Sequence, residues 1–353
     1  MSNAGGAPPR LLLLSMYALD RQDSGPTVRI RNMRDALAGV TRLEVIAGYR
    51  RTRFAQLARY AMSGRLRRLD GIYVESSTFL PSPADVAFLA LARSLGIPVL
   101  TFLRDAYQLF PDYYAASSLK RQVARGLFMP AFRALMAAST RLAFPSRGLA
   151  AVFGHGHDGL LLPPGASPPV DIPRRPDANQ LLYVGGLALP AFGGESLIAA
   201  VRQARDAGHD IELTVVCRPG EEPPGSRPDW LHLEQGSGTR IHELLPRTVA
   251  TVIPRRRTAY NDLAVPVKLM EYLTYGRPLL VTDCREQARI VDETSSGLVV
   301  PDSAEGIASG IEQLFNASAA RLDELSEAAR RAAVANSWHA RAREVLSMLS
   351  LDA

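Results

Sequence analysis

Cysteine is nearly absent from this 353-residue chain: Cys217 and Cys284 stand alone, and neither belongs to a CxxC pair. That excludes a disulfide framework and a thiolate zinc site, and it fits a reducing compartment. Long apolar runs are missing too. The longest candidate, 84–103, is broken by Arg93, Gly96 and Pro98, short of the roughly 18 to 20 residues that a spanning helix needs. The apolar stretch after Pro8-Pro9-Arg10 is short, lacks a cleavage pattern, and reads as a first buried strand rather than a secretion signal. Aromatic residues make up only 7% and are not interleaved with the arginines, and there is no finger, basic zipper or RNP-like string. No nucleic-acid partner is therefore expected, although the formal net charge is +6. The six histidines form no ligand cluster; His155 and His157 share a glycine-rich turn without acidic or thiol company. His242 opens a short helical stretch, where it either faces a nucleobase or is a plain surface residue. No metal site, Walker loop, GxGxxG or Ser-His-Asp signature is present.

What remains is a hydrophobic share of 47%, a charged share of 22%, and a repeating rhythm of short apolar run, loop and amphipathic stretch. Strands are expected at Leu11–Ser15, Leu43–Ala47, Gly71–Glu75, 98–103 and Arg141–Phe144. Helices are expected near Val28–Ala38, over Ala84–Leu95 and over Arg121–Ala138. Residues 163–179, PPGASPPVDIPRRPDAN, read as an interdomain linker. The rhythm then restarts with a strand at Gln180–Val184 running into Gly185-Gly186. The fold class is α/β, with two Rossmann-like doubly wound domains, and a chain of this length suits two.

The most informative segment is 261–283, NDLAVPVKLMEYLTYGRPLLVTD. A helix over Val267–Tyr275 would start at Pro266, stop at Gly276, and return through Pro278 to a buried strand. Lys268 and Glu271 fall one turn apart on its face. A carboxylate there can accept two hydrogen bonds from vicinal hydroxyls, as a ribose requires, while the helix start and Lys268 can hold phosphate oxygens. A surface Lys–Glu pair on a capped helix is the equal alternative.

This segment, PxKxxEYxxxGxP followed by a strand, Glu286 and Gly297-Leu298-Val299, resembles the donor-binding region of glycosyltransferase family 4. LLYVGG at 181–186, LPPGA at 162–166 and Asn336-Ser337-Trp338 resemble that family's other landmarks in the right order. The resemblance implies a GT-B fold, two domains facing across a cleft. Residues 1–165 would be the acceptor domain, 166–336 the nucleotide-sugar donor domain, and 337–353 a helix crossing back onto the first. It also implies transfer, with retention, from a nucleotide-diphosphate sugar in glycan, polysaccharide or glycolipid synthesis. No cofactor or metal is expected, and the acceptor would be a glycan, a lipid-linked molecule or a small molecule.

The resemblance likewise assigns the site. Glu271 matches the ribose-binding Glu, and Gly25 matches a glycine that approaches the donor, with an ordinary turn as the alternative. Arg104 and Asp105 occupy the place of a polar residue facing the transferred sugar, with a structural ion pair as the alternative. Donor contacts are expected from Gly185, Gly186, Arg255, Pro266, Lys268 and Glu271, and catalytic ones from Arg104, Asp105 and Asp262. Two departures stand out. The second Glu that many members carry eight positions before the ribose Glu is Leu263 here, with Asp262 and Asn261 beside it. The loop after the first strand of the second domain, GGLALPAFGGES, has no cation, so glycine nests or the Arg255–Arg257 triplet would have to compensate, unless that triplet is simply solvated. A GT-B pseudoenzyme acting as a binding subunit, and a GT-B epimerase, are the other readings.

Two arginine-rich stretches, 50–69 and 120–136, have apolar faces at helical spacing. They make an anionic membrane surface a candidate partner for a cytoplasmic, peripherally bound protein, with ordinary core-facing amphipathic helices as the equal alternative. In the first, the stripe is Phe54, Leu57, Ala58, Ala61 and Met62.

Overall fold

The computed structural model describes all residues except 1–6, 21–24, 112, 116, 157, 187–188, 223–226, 237 and 352–353, so His157 lies outside the described residues. The chain divides into two compact units, Met1–Gly165 with Trp338–Ala353, and Ala166–Ser337.

The first unit runs β1 (Arg10–Ser15), α1 (Gly25–Ala38), β2 (Arg42–Ala47), α2 (Arg50–Met62), β3 (Gly71–Glu75), α3 (Pro83–Ser94), β4 (Val99–Phe102), α4 (Leu119–Gly126), α5 (Phe128–Ala137), β5 (Arg141–Phe144), α6 (Arg147–Val152) and β6 (Leu160–Leu161). The strands pair in parallel in the order β2-β1-β3-β4-β5-β6, so the order reverses between β1 and β3. Parallel strands covered on both faces must be apolar throughout, and Leu11–Leu14 are each fully buried. Leu12 and Leu14 face one apolar layer, while Leu11 and Leu13 face the other. The helix expected over Arg121–Ala138 is two helices, broken at Leu127. Pro130 is the reason: it has no N–H to donate, and its ring would clash with the carbonyl of residue 126 in a continuous helix.

The second unit runs β7 (Gln180–Val184), α7 (Gly194–Asp206), β8 (Glu212–Val216), β9 (Leu231–Glu234), α8 (Gly238–Leu244), β10 (Thr248–Ile253), α9 (Val267–Tyr275), β11 (Leu279–Thr282), α10 (Arg285–Thr294), β12 (Gly297–Val300), α11 (Ala304–Phe315) and α12 (Ala319–Ala335). Its parallel sheet has the order β12-β11-β10-β7-β8-β9, with the reversal between β7 and β10. The proline-rich stretch is no free tether. Val170 N–H donates to Thr274 O at 2.7 Å, Arg330 donates to Val170 O at 2.9 Å, and the buried Arg277 donates to Arg174 O at 2.8 Å.

The last helix, α13 (Trp338–Met348), belongs to the first unit. Trp338, Ala342, Val345 and Leu346 pack with Leu11, Leu13, Ile30, Met33 and Leu37 in one apolar layer. Fully burying a side chain of the Val or Leu type stabilises by about 1.5–3 kcal/mol, so this contact suffices to fasten a short helix.

Candidate functional site

In an open parallel sheet the strand ends diverge where the order reverses, and ligands bind beyond the carboxyl ends there. In the second unit that point lies between β7 and β10, and α9 packs against it. Pro266 caps α9 in an extended conformation, and Gly276 ends it. Two side chains one turn apart fasten α9 to the end of β7. Lys268 Nζ donates to Val184 O at 2.8 Å, and Tyr272 OH accepts from Val184 N–H at 2.7 Å.

The Lys268 ammonium also stands 4.9 Å from the centre of the Tyr183 ring. Burial pushes its pKa down to about 8; Arg255 adds to that effect, while Glu271 and Glu221 oppose it. An ammonium has three donors, and among the described residues Lys268 uses one. Glu271, on the next turn, is half-buried, and burial raises its carboxyl pKa against the pull of Lys268. Its carboxylate accepts no hydrogen bond from any described side chain or backbone N–H. Carboxylate and ammonium therefore sit side by side with unused capacity.

The surrounding loops approach closely. A Cβ on Gly185 would lie 2.5 Å from Lys268 Nζ, so only glycine leaves the ammonium its place. A side chain on Gly186 would meet Glu221 at 2.6 Å. Gly193 adopts φ 74°, and a Cβ there would stand 1.6 Å from Pro254 O, which sets the start of α7 against the end of β10. Asn261 is fully buried and locks these loops together, donating to Ala191 O at 3.0 Å and Arg256 O at 2.7 Å.

The arginine triplet divides by position. Arg255 is half-buried and its Nη1 has no partner among the described residues, while Arg256 is exposed. Arg257 pairs with Asp262 at 3.1 Å and Asp283 at 3.4 Å. Asp262 also accepts from Arg285 N–H at 3.1 Å, so both of its oxygens are engaged in holding loops.

In the first unit the strand order reverses between β1 and β3, and Arg104 and Asp105 follow β4, the next strand along. The two do not form a closed pair with each other. Arg104 Nη2 bonds Glu75 Oε2 at 3.0 Å, at the end of β3. Asp105 Oδ1 is buried without a partner among the described residues, and burial raises the Asp105 pKa to about 7 against the pull of Arg104 and the Tyr107 N–H. Gly25 is the first residue of α1, with open space where a side chain would be. Glu75 is the residue that sequence reasoning passed over, although a lone carboxylate closing an otherwise apolar strand was a visible signal.

Residues 178–317 match the family model described as Glycosyl transferases group 1. The whole chain is similar in fold to a glycosyltransferase from Rickettsia africae, with TM-score 0.64 and 12% identity over 97% of this chain and 98% of that one. Anabaena HepE in complex with UDP is similar at TM-score 0.64 and 13% identity, over 97% and 99% of the two chains. Sucrose-phosphate synthase from Thermosynechococcus elongatus gives TM-score 0.62 and 15% identity, over 97% and 98%. No curated protein matches the sequence. The second unit thus carries a glycosyl transferases group 1 domain, and the two Rossmann-like units make up the GT-B fold. The whole chain has the GT-B fold of these structures, and the family match lies in its second unit.

Proposed function

We propose that this protein transfers a sugar, with retention and without a metal, from a nucleoside-diphosphate sugar to an acceptor in glycan, polysaccharide or glycolipid synthesis. The observation that carries the proposal is the pair Lys268 and Glu271 on α9. A cation with spare donors and a carboxylate that accepts no hydrogen bond among the described residues lie one turn apart, beside the β7–β10 reversal. Diphosphate and ribose are adjacent in such a donor and ask for those two groups in that order. Arg255, with its unpartnered Nη1, supplies the second cation that the β7–α7 loop lacks. Arg104 and Asp105 serve the transferred sugar or the acceptor, so replacing either should lower turnover more than donor affinity.

Related structures point to the nucleotide: Anabaena HepE is held with UDP and with UDP-glucose, and a trehalose-phosphate synthase from Burkholderia xenovorans is described as UDP-forming. A thermal-shift series of the full chain with UDP, GDP, dTDP and ADP tests the donor site, since a ligand that binds only the native state raises Tm. A clear rise with UDP is expected. No rise with any diphosphate at millimolar concentration would remove the proposal, and transfer absent despite binding would leave a binding subunit.

A peripheral place on an anionic, cytoplasm-facing membrane leaflet is part of the same reading. Among the described residues no helix is long and apolar enough to cross a membrane. The stripe expected on α2 is corrected by the packing: Arg53, Leu57 and Tyr60 turn into the unit, while Phe54 and Met62 point outward. In the second stretch packing likewise turns Phe128 and Phe132 of α5 inward, correcting the apolar face expected there, and what stays outside is α4. No residue of α4 is buried, and Leu119, Val123 and Leu127, four residues apart, are 75%, 51% and 51% exposed. Lys120, Arg121 and Arg125 flank that stripe. Basic residues near an anionic surface contribute up to about 1 kcal/mol each and are screened by salt. Co-sedimentation with anionic vesicles at low salt is expected, weakened by Val123→Asp and by high salt; no sedimentation at low salt would rule the docking out.

A further inference from the structure

Glu75 closes β3 with 0% exposure and takes three donors. Tyr73 OH donates to its Oε1 at 2.6 Å and Arg29 Nε donates to the same oxygen at 3.1 Å. Arg104 Nη2 donates to Oε2 at 3.0 Å. Arg29 is itself fixed, lying 3.8 Å from the centre of the Phe102 ring. One buried carboxylate thus faces two guanidinium groups, and desolvating so many charges is costly unless something is gained by it. A fold needing only stability would fill such a place with apolar side chains.

The gain lies at the far end of Arg104. Its side chain is 9% exposed, yet among the described residues its Nε has no partner. Next to it Asp105 Oδ1 is equally unpartnered, and so is Oε1 of the buried Gln108. The same cluster includes Tyr17, whose OH bonds Thr78 Oγ1 at 2.8 Å, and Gln108 Nε2, which donates to Thr78 O. One unused donor and two unused acceptors therefore gather beyond the ends of β1, β3 and β4, where the strand order reverses. A buried polar group left unpaired costs about 1–3 kcal/mol, and three together mark a place built for a ligand. Hydroxyl groups, which both donate and accept, satisfy such a mixed set.

We propose that Glu75 is a positioning residue for the transfer reaction, holding Arg104 by Nη2 so that Arg104 Nε–H and the Asp105 carboxyl stay turned toward a polyhydroxylated ligand. The proposal rests on the reading of Arg104 and Asp105 given above. Without Glu75 the guanidinium is free to close onto Asp105, and the two groups would satisfy each other rather than the ligand. The groups that face Asp105 are Arg104 beside it, Tyr107 on the turn after it, and Tyr17 from the loop after β1. Arg104 is the cation of that set and lowers the Asp105 pKa.

The test is a carboxyl-carbon NMR titration of the full-length protein labelled at aspartate, with the Asp105 signal assigned by Asp105→Asn. In the wild type Asp105 is expected to titrate near its raised value of about 7. In Glu75→Gln, with Arg104 released, the inflection should fall by roughly one unit or more. Glu75→Asp, which keeps the charge but shortens its reach, covers the case in which the Gln variant does not fold, and should shift the inflection in the same direction. Tyr73→Phe removes a different bond to Glu75 and should leave the inflection in place. An unmoved inflection in the folded Glu75 variant, or an equal shift in Tyr73→Phe, overturns the proposal. The readout needs no turnover, so it is separable from the transfer reading, which stands or falls on wild-type activity. If the wild type transfers sugar, Glu75→Gln should lower kcat at least tenfold with UDP affinity unchanged.

Discussion

Glu271→Ala is expected to lower kcat/KM by about 2–4 kcal/mol, roughly 30- to 1000-fold, because charge-assisted bonds to two ribose hydroxyls are among the strong ones. The protein itself should tolerate the change. The Glu271 carboxylate accepts no hydrogen bond from a described residue, so its removal strands no donor. Burial raises its pKa, which means that its charged form is less stable folded than unfolded. By linkage, a raised carboxyl pKa withdraws stability as pH rises through that value, and alanine removes the penalty. The variant should therefore match or exceed the wild-type Tm above that pH while losing nucleotide affinity. Glu271→Gln, which presents only one acceptor oxygen, should fall in between. Near-wild-type kcat/KM in Glu271→Ala would take this residue out of the donor site.

The second large effect is expected at Lys268. Its pKa is pushed from 10.5 down to about 8, so near neutral pH most of the ammonium is charged at a cost to folding. The sign follows from linkage: the unfolded chain binds this proton more tightly, so stability from this group rises as pH goes from about 8 to above 10. A diphosphate reverses the balance by favouring the charged form. UDP binding at pH 8.5 should therefore take up a proton, visible in calorimetry as a heat that changes with the buffer's ionisation enthalpy. Affinity should weaken as pH rises above 8. Lys268→Met, close in size and neutral, should reduce UDP affinity about 10- to 100-fold, in line with roughly 1.5–3 kcal/mol for a bond to a charged group. Binding without proton uptake, and unchanged in Lys268→Met, would place the diphosphate elsewhere and leave Arg255 as the remaining candidate cation.

These expectations also mark what was legible in the chain. The Lys268–Glu271 spacing, the stop at Gly276 and the return through Pro278 are local, and the structure places them on one capped helix as read. The partner of Arg104 was not legible. Its neighbour Asp105 was the obvious candidate, yet the carboxylate it bonds lies 29 residues earlier, at the end of another strand. The arginine triplet at 255–257 reads as one charge run, but its members have three different environments, set by Asp262, Asp283 and the packing of the β10–α9 loop. Of the two amphipathic stretches, the sequence does not say which face stays outside. Packing turns the Arg53–Leu57–Tyr60 face of α2 inward and leaves α4 fully outside.

The sequence by itself determined the alternation of strands and helices, the restart at Gln180, and the chemistry available on α9. Each of these is written in patterns spanning a turn or two, through backbone propensity, capping and apolar periodicity. Only the tertiary structure decided which groups are partnered and which are left open. Val184 O meets Lys268 across 84 residues, and Glu75 reaches Arg104 because parallel strands bring their carboxyl ends to one edge, and Arg29 because α1 packs beside that sheet. Burial then sets the charge balance, pressing Lys268 down and Asp105 up. Such shifts depend on desolvation by distant segments, and no local pattern encodes them.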